Sequence, residues 1–138
     1  MLTRLMPSFM QTPVDPDPDR TYVVATTVLT VRSPRIALAF FRRLGGVTQQ
    51  MRRADGMVRF GLRAQLLRMT FSTYGVFDDR RALTAFMRGE AHGEAMQALG
   101  GRLHHVTART LERRGDDLPR TWKQVIALRD PDEVVQPA

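Results

Sequence analysis

The order of segments between Tyr22 and Arg113 predicts an α+β fold of the ferredoxin-like type, βαββαβ, with a four-stranded antiparallel sheet and both helices on one face. Three observations carry that expectation. Stretches rich in β-branched residues alternate with stretches of helical spacing, in two copies of one strand, helix, strand plan. The two middle strands are joined by a link too short for a crossover, which makes them antiparallel neighbours. The first strand is apolar at odd and even positions alike, as a strand covered on both faces must be.

Tyr22 to Val31 (YVVATTVLTV) is that first strand. Ser33-Pro34 supplies an N-cap with proline at the first helical position. Ile36, Phe40, Leu44 and Val47 then recur at spacings of three and four, with Gly45-Gly46 as the point where the helix could break. Asp55-Gly56 signals a turn. Beyond it Val58, Phe60, Leu62 and Ala64 alternate with Arg59, Gly61, Arg63 and Gln65. Met69 to Phe77 is the partner strand, with Met69, Phe71, Thr73 and Phe77 alternating against Thr70, Ser72, Tyr74 and Val76.

Asp78-Asp79 puts carboxylates where the free N–H groups of a new helix favour negative charge, and Leu83, Phe86 and Met87 form its apolar stripe. Gly89 and Gly93 weaken that helix, so Glu90 to Leu99 is expected as a second short helix at an angle, ended by Gly100-Gly101. Leu103 to Arg113 is the fourth strand. Asp116-Asp117-Leu118-Pro119 is expected to cap a last short helix carrying Trp122, Val125, Ile126 and Leu128.

A chain of 138 residues, 43% hydrophobic and 25% charged, suits one globular domain. Residues 1–20, ending in Pro13-Val14-Asp15-Pro16-Asp17-Pro18-Asp19, are expected to be a flexible arm, 21–130 the single domain with its C-terminal helix, and 131–138 a loose tail. The absence of cysteine excludes disulfides, thiolate metal sites and a Cys nucleophile, and makes a cytoplasmic setting the simplest reading. No apolar run is long enough for a membrane span or a secretory signal. The net charge of +7 invites a nucleic-acid partner. The arginines are scattered in singles and pairs from Arg4 to Arg129, so nucleic acid is not the expected partner.

One sheet face takes the helices. The other still carries apolar groups and needs a cover, either a second copy of the chain in a homodimer or the arm together with the Trp122 helix.

Gly75-Val76-Phe77-Asp78-Asp79 leading into Arg80-Arg81-Ala82-Leu83-Thr84-Ala85-Phe86, and then Ala91-His92-Gly93-Glu94-Ala95-Met96, resembles the dimeric α-β barrel superfamily, and within it the antibiotic biosynthesis monooxygenase-like proteins. A weaker likeness extends to spheroidene monooxygenase-like and haem-degrading relatives. The resemblance spans about Tyr22 to Arg113. It implies dimers whose two sheets close a barrel, a pocket between helices and sheet in each subunit, and in some members oxygenation of polycyclic aromatic substrates without metal or prosthetic group. The haem degraders have an Asn on the first strand, a Trp just before the second helix and a His late in it. Here 22–31 contain no Asn, Phe77 stands where the Trp falls, and Met96 where the His falls.

These residues suggest a protein that binds a small apolar or aromatic molecule, with monooxygenase activity as its enzymatic form and no dedicated cofactor expected. A non-enzymatic interaction or scaffold module and a haem-binding protein are the alternatives. The expected pocket is lined by Phe40, Phe60, Phe71, Phe77, Phe86 and Met96, side chains that serve equally well as plain core. Its polar handles are His92, as a base or an orienter of a substrate hydroxyl, and Tyr74. A plainer role for His92 is to bond a backbone carbonyl at the helix end. Arg59 and Arg63, on one strand face, could grip an acidic ligand group or simply face solvent. His104 and His105, adjacent on a strand, should point to opposite faces and share no metal.

Overall fold

A computed structural model of the chain describes residues 8–128 and 136–137. The elements run β1 (Ser8–Gln11), β2 (Thr21–Val31), α1 (Pro34–Arg53), β3 (Met57–Gln65), β4 (Thr70–Phe77), α2 (Arg80–Met87), α3 (Glu90–Leu99), β5 (Leu103–Arg114), α4 (Trp122–Ala127) and β6 (Gln136–Pro137). The core of this order is the expected βαββαβ, with its second helix broken in two.

The sheet is antiparallel throughout and has the order β1-β3-β4-β2-β5-β6. The four predicted strands occupy its centre. Two more extend the edges: β1 on β3, and the two-residue β6 on β5. Helix α1 is continuous through Gly45-Gly46, because Phe40, Leu44, Val47 and Met51 on one stripe are all buried and hold both halves to the same sheet face. Ser33 caps it, its Oγ accepting from the Ile36 N–H at 3.3 Å. Asp79 does the same for α2. The β3–β4 link is a single 3₁₀ turn, Leu66–Arg68, closed by Met69 in the left-handed conformation (φ 52°).

Side-chain alternation divides the interior in two. Val23, Leu29, Phe60, Leu62, Phe71 and Phe77 face α1, α2 and α3, whereas Tyr22, Val24, Val58, Tyr74 and Val76 form a second cluster under Leu118 and Val125, with Met10 and Trp122 packed alongside. The second face is therefore covered at this end by the chain's own arm and α4, the second of the two covers the sequence allowed. Trp122 donates through Nε1 to the Phe9 carbonyl at 3.3 Å. Gly61 leaves the room for this, since a Cβ there would lie 2.8 Å from that carbonyl oxygen and 3.0 Å from the indole.

Three details differ from expectation. The stretch 8–20 predicted as a flexible arm is laid down on the body: Ser8–Gln11 pair with β3, the Asp17 N–H donates to the Tyr22 hydroxyl at 2.8 Å, and the Gly115 N–H donates to the Arg20 carbonyl at 2.8 Å. Proline removes donors but leaves carbonyls, and neighbouring elements supply the N–H groups. The cap of α4 is Thr121, whose Oγ1 accepts from the Gln124 N–H, while Gly115–Asp117 form a 3₁₀ turn of their own. His104 and His105 do not diverge. A β-bulge opposite Thr30 and Val31 breaks the alternation, and their exposed rings meet with centroids 4.0 Å apart. Residues 1–7 and most of the 131–138 tail lie outside the described residues. Among the described residues no helix is long and apolar enough to cross a membrane, and no group of three or more potential ligands could hold a metal ion.

Candidate functional site

Between the helices and the sheet lies a partly open, mostly apolar pocket of about 150 Å³. It exists because one row of the sheet is built from small side chains. Gly75, Ala25 and Thr110 stand side by side across β4, β2 and β5, and all three border the space. Above this floor α1 supplies Val47 and Met51, α2 supplies Leu83, Phe86 and Met87, and α3 supplies His92, with Phe77 at the end of β4. The volume is half the roughly 300 Å³ at which drug-sized ligands begin to fit, and close to that of apolar cavities of about 150 Å³ that take benzene.

His92 sits in the first turn of α3, half-buried, with its ring 5.3 Å from that of Phe86. Its Nδ1 lies 3.1 Å from the Met87 carbonyl oxygen. A carbonyl can only accept, so this contact is a hydrogen bond when Nδ1 carries a proton, and in the neutral ring that tautomer leaves the Nε2 lone pair free. The plain role at the helix end and a base at the cavity wall are thus compatible in one tautomer. The joint that holds this histidine is built on Gln50 of α1. Its Nε2 donates to the Phe86 carbonyl at 2.7 Å, and its Oε1 accepts from the His92 N–H at 2.8 Å. A Cβ on Gly89 would fall 1.7 Å from that amide nitrogen, so the joint requires glycine there.

Of the predicted lining residues, Phe77, Phe86 and His92 meet at the cavity. Phe40 and Phe71 are instead packed edge-to-face on each other, 4.8 Å between centroids, and Phe60 is fully buried against Phe9. Met96 is 39% exposed on the outer side of α3. Tyr74 borders the cavity only from beneath. Its ring belongs to the other sheet face, where the hydroxyl donates to the Pro119 carbonyl at 2.9 Å, and burial pushes its pKa up to about 12 against an opposing pull from the Arg59 cation. Tyr74 and His92 are therefore separated by the sheet. Arg59 shares the Tyr74 side and is buried, donating from Nε to the Thr12 hydroxyl at 2.9 Å and from Nη1 to the Pro119 carbonyl at 3.0 Å. Arg63, four residues on, is half-buried and joins none of these bonds. Sequence reasoning missed the Gly75, Ala25 and Thr110 floor; the available signal was a glycine inside a strand pattern.

No protein-family model matches the chain, and no curated protein matches it. Solved structures do. A candidate monooxygenase from Lactobacillus acidophilus superposes with a TM-score of 0.59 at 11% identity over 75% of this chain and 49% of its own, and one from Fusobacterium nucleatum with 0.59 at 12%, over 76% and 47%. This chain thus spans about half the length of those two proteins. A candidate antibiotic biosynthesis monooxygenase from Nitrosomonas europaea matches with a TM-score of 0.55 at 14% identity, over 66% of this chain and 95% of its own. At such identities the likeness is one of fold, and it is the fold of the antibiotic biosynthesis monooxygenase-like proteins that the residues around Gly75 and His92 suggested: an α+β ferredoxin-like sheet with helices packed on one face.

Proposed function

We propose that this protein binds a small apolar molecule, about one aromatic ring in size, in the cavity beside His92, and that its activity is a monooxygenation needing no dedicated cofactor. The observation that carries the binding reading is a partly open apolar pocket floored by Gly75, Ala25 and Thr110 with a single imidazole at its wall. In the enzymatic form of the proposal, His92 Nε2 takes the proton from a ring hydroxyl of the substrate and the electron-rich anion meets dioxygen. One oxygen atom enters the ring as a carbonyl, while the other leaves as water with the two hydrogens the substrate loses. A phenol thus becomes a quinone, and the substrate itself supplies the electrons. The polycyclic substrates of the wider family do not fit about 150 Å³. Met96, at the position of the haem degraders' histidine, is 39% exposed, which favours the reading without haem. A cytoplasmic setting and a homodimer remain part of the proposal. With α4 over the Tyr74 end of the second face, pairing is not needed to cover that surface, so sedimentation showing twins at micromolar concentration would assign them to other surfaces.

The test is a titration of the ¹⁵N-labelled chain with phenol. Saturable shifts at Ala25, Thr110, Phe86 and His92 are expected, and Ala25→Val, which adds two methyl groups to the floor, should weaken binding at least ten-fold with the fold intact. Shifts that do not saturate, or that Ala25→Val leaves unchanged, would move the reading to a non-enzymatic interaction module.

A further inference from the structure

On the far side of the sheet from His92, the arm, the Gly115–Asp117 turn and β3 enclose an open cleft of about 590 Å³. Arg59 lies against it, only 7% exposed, and no carboxylate of the described residues comes within ion-pair distance of its guanidinium. Its guanidinium donates to the Thr12 hydroxyl and the Pro119 carbonyl and also engages the Tyr74 hydroxyl. All three partners are neutral. A buried cation left without a counter-charge is costly, and its remaining donors are a fixed, planar fork. No fully buried side-chain nitrogen of the described residues lacks a partner, and Arg59 is among the residues that line the cleft.

We propose that this cleft is a binding site for a small monocarboxylate carrying an apolar body, with Arg59 as its anchor. The Thr12 hydroxyl accepts from Arg59 and so has its own hydrogen to donate to the same carboxylate. Arg120 lines the cleft as a second cation, and Met10 gives it an apolar wall. Asp15 and Asp116 also line it, which sets the charge of the ligand. Asp116 is already turned to Arg114 at 3.6 Å, while Asp15 is exposed at the rim. With Asp116 paired to Arg114, Arg59 and Arg120 face one unpaired carboxylate, Asp15, which leaves room for one added negative charge; the second charge of a phosphate dianion would go uncompensated. This site is independent of the cavity at His92, from which the sheet separates it.

Sodium benzoate is the probe, followed through the Arg59 Nε–H and the backbone amides of Thr12, Gly115 and Asp116, at constant ionic strength, with benzyl alcohol as the uncharged counterpart. Saturable shifts with benzoate and at least ten-fold weaker binding of benzyl alcohol are expected. Arg59→Lys, which keeps the charge and loses the fork, and Arg120→Gln, which touches none of the buried hydrogen bonds, should each weaken benzoate at least five-fold, and Arg43→Gln on α1 should not. Should Arg59→Lys fail to fold, Arg120→Gln alone decides. Equal binding of benzyl alcohol, equal effects of Arg43→Gln and Arg120→Gln, or shifts confined to Phe86 and His92 would overturn the site.

Discussion

The two faces of the sheet are packed to different ends. On the helix face, α1, α2 and α3 bridge a floor of small residues and leave a hollow; on the opposite face, Tyr74, Val76 and Val24 are fully buried beneath α4, and the one polar atom Tyr74 brings with it is satisfied by the Pro119 carbonyl. Side chains that border a void make fewer contacts than those in a filled layer, so the residues around the hollow can exchange at lower cost than Tyr74 and its neighbours. The rest of the helix face, with Phe60, Phe71 and Leu99, is as fully buried as the opposite one. Candidate chemistry lies beside the one loosely packed patch of the helix face.

Truncations should separate the faces most strongly. Tyr74→Ala is expected to cost about 4 kcal/mol or more, a large part of a small domain's total, whereas Phe86→Ala should cost about 2 kcal/mol and enlarge the cavity. Urea denaturation checks both. Equal costs would mean that the hollow does not loosen its surroundings.

Alkaline pH probes the Tyr74 face alone. Tyr74 has a folded-state pKa of about 12 against an ordinary value of 10.0, so between these two values the folded chain binds the extra proton. The contribution of the protonated phenol is fully present below the unfolded value and is lost as pH rises through the folded one, by roughly 2–3 kcal/mol in all. Stability measured from pH 9.5 to 12 should therefore fall with a component that Tyr74→Phe removes. The smallest effect belongs to neither face: Asp117→Asn, breaking the exposed 2.9 Å pair with Arg113, should change stability by no more than about 0.5 kcal/mol.

Periodicity made the central strands and the helices legible, because burial on one stripe or one parity leaves a mark in every residue. Residues 8–20 and 136–137 carry no such mark. Their strands are held by backbone carbonyls and N–H groups, which any sequence supplies. Parity also held more than was drawn from it. Tyr74 alternates against Phe71 and Phe77, and Arg59 against Phe60, so one pocket could not take all of them. The cavity was the least legible feature, since it depends on Gly75, Ala25 and Thr110 coming into register across three strands, and cross-strand register is not written in any single segment.

The Gln50 amide gives the hollow a latch. Any motion that swings the start of α3 away from the end of α2 strips the Phe86 carbonyl and the His92 N–H of their partner in the same stroke. The packing of α3 against the end of α2 and the placement of the imidazole are consequently coupled through one side chain.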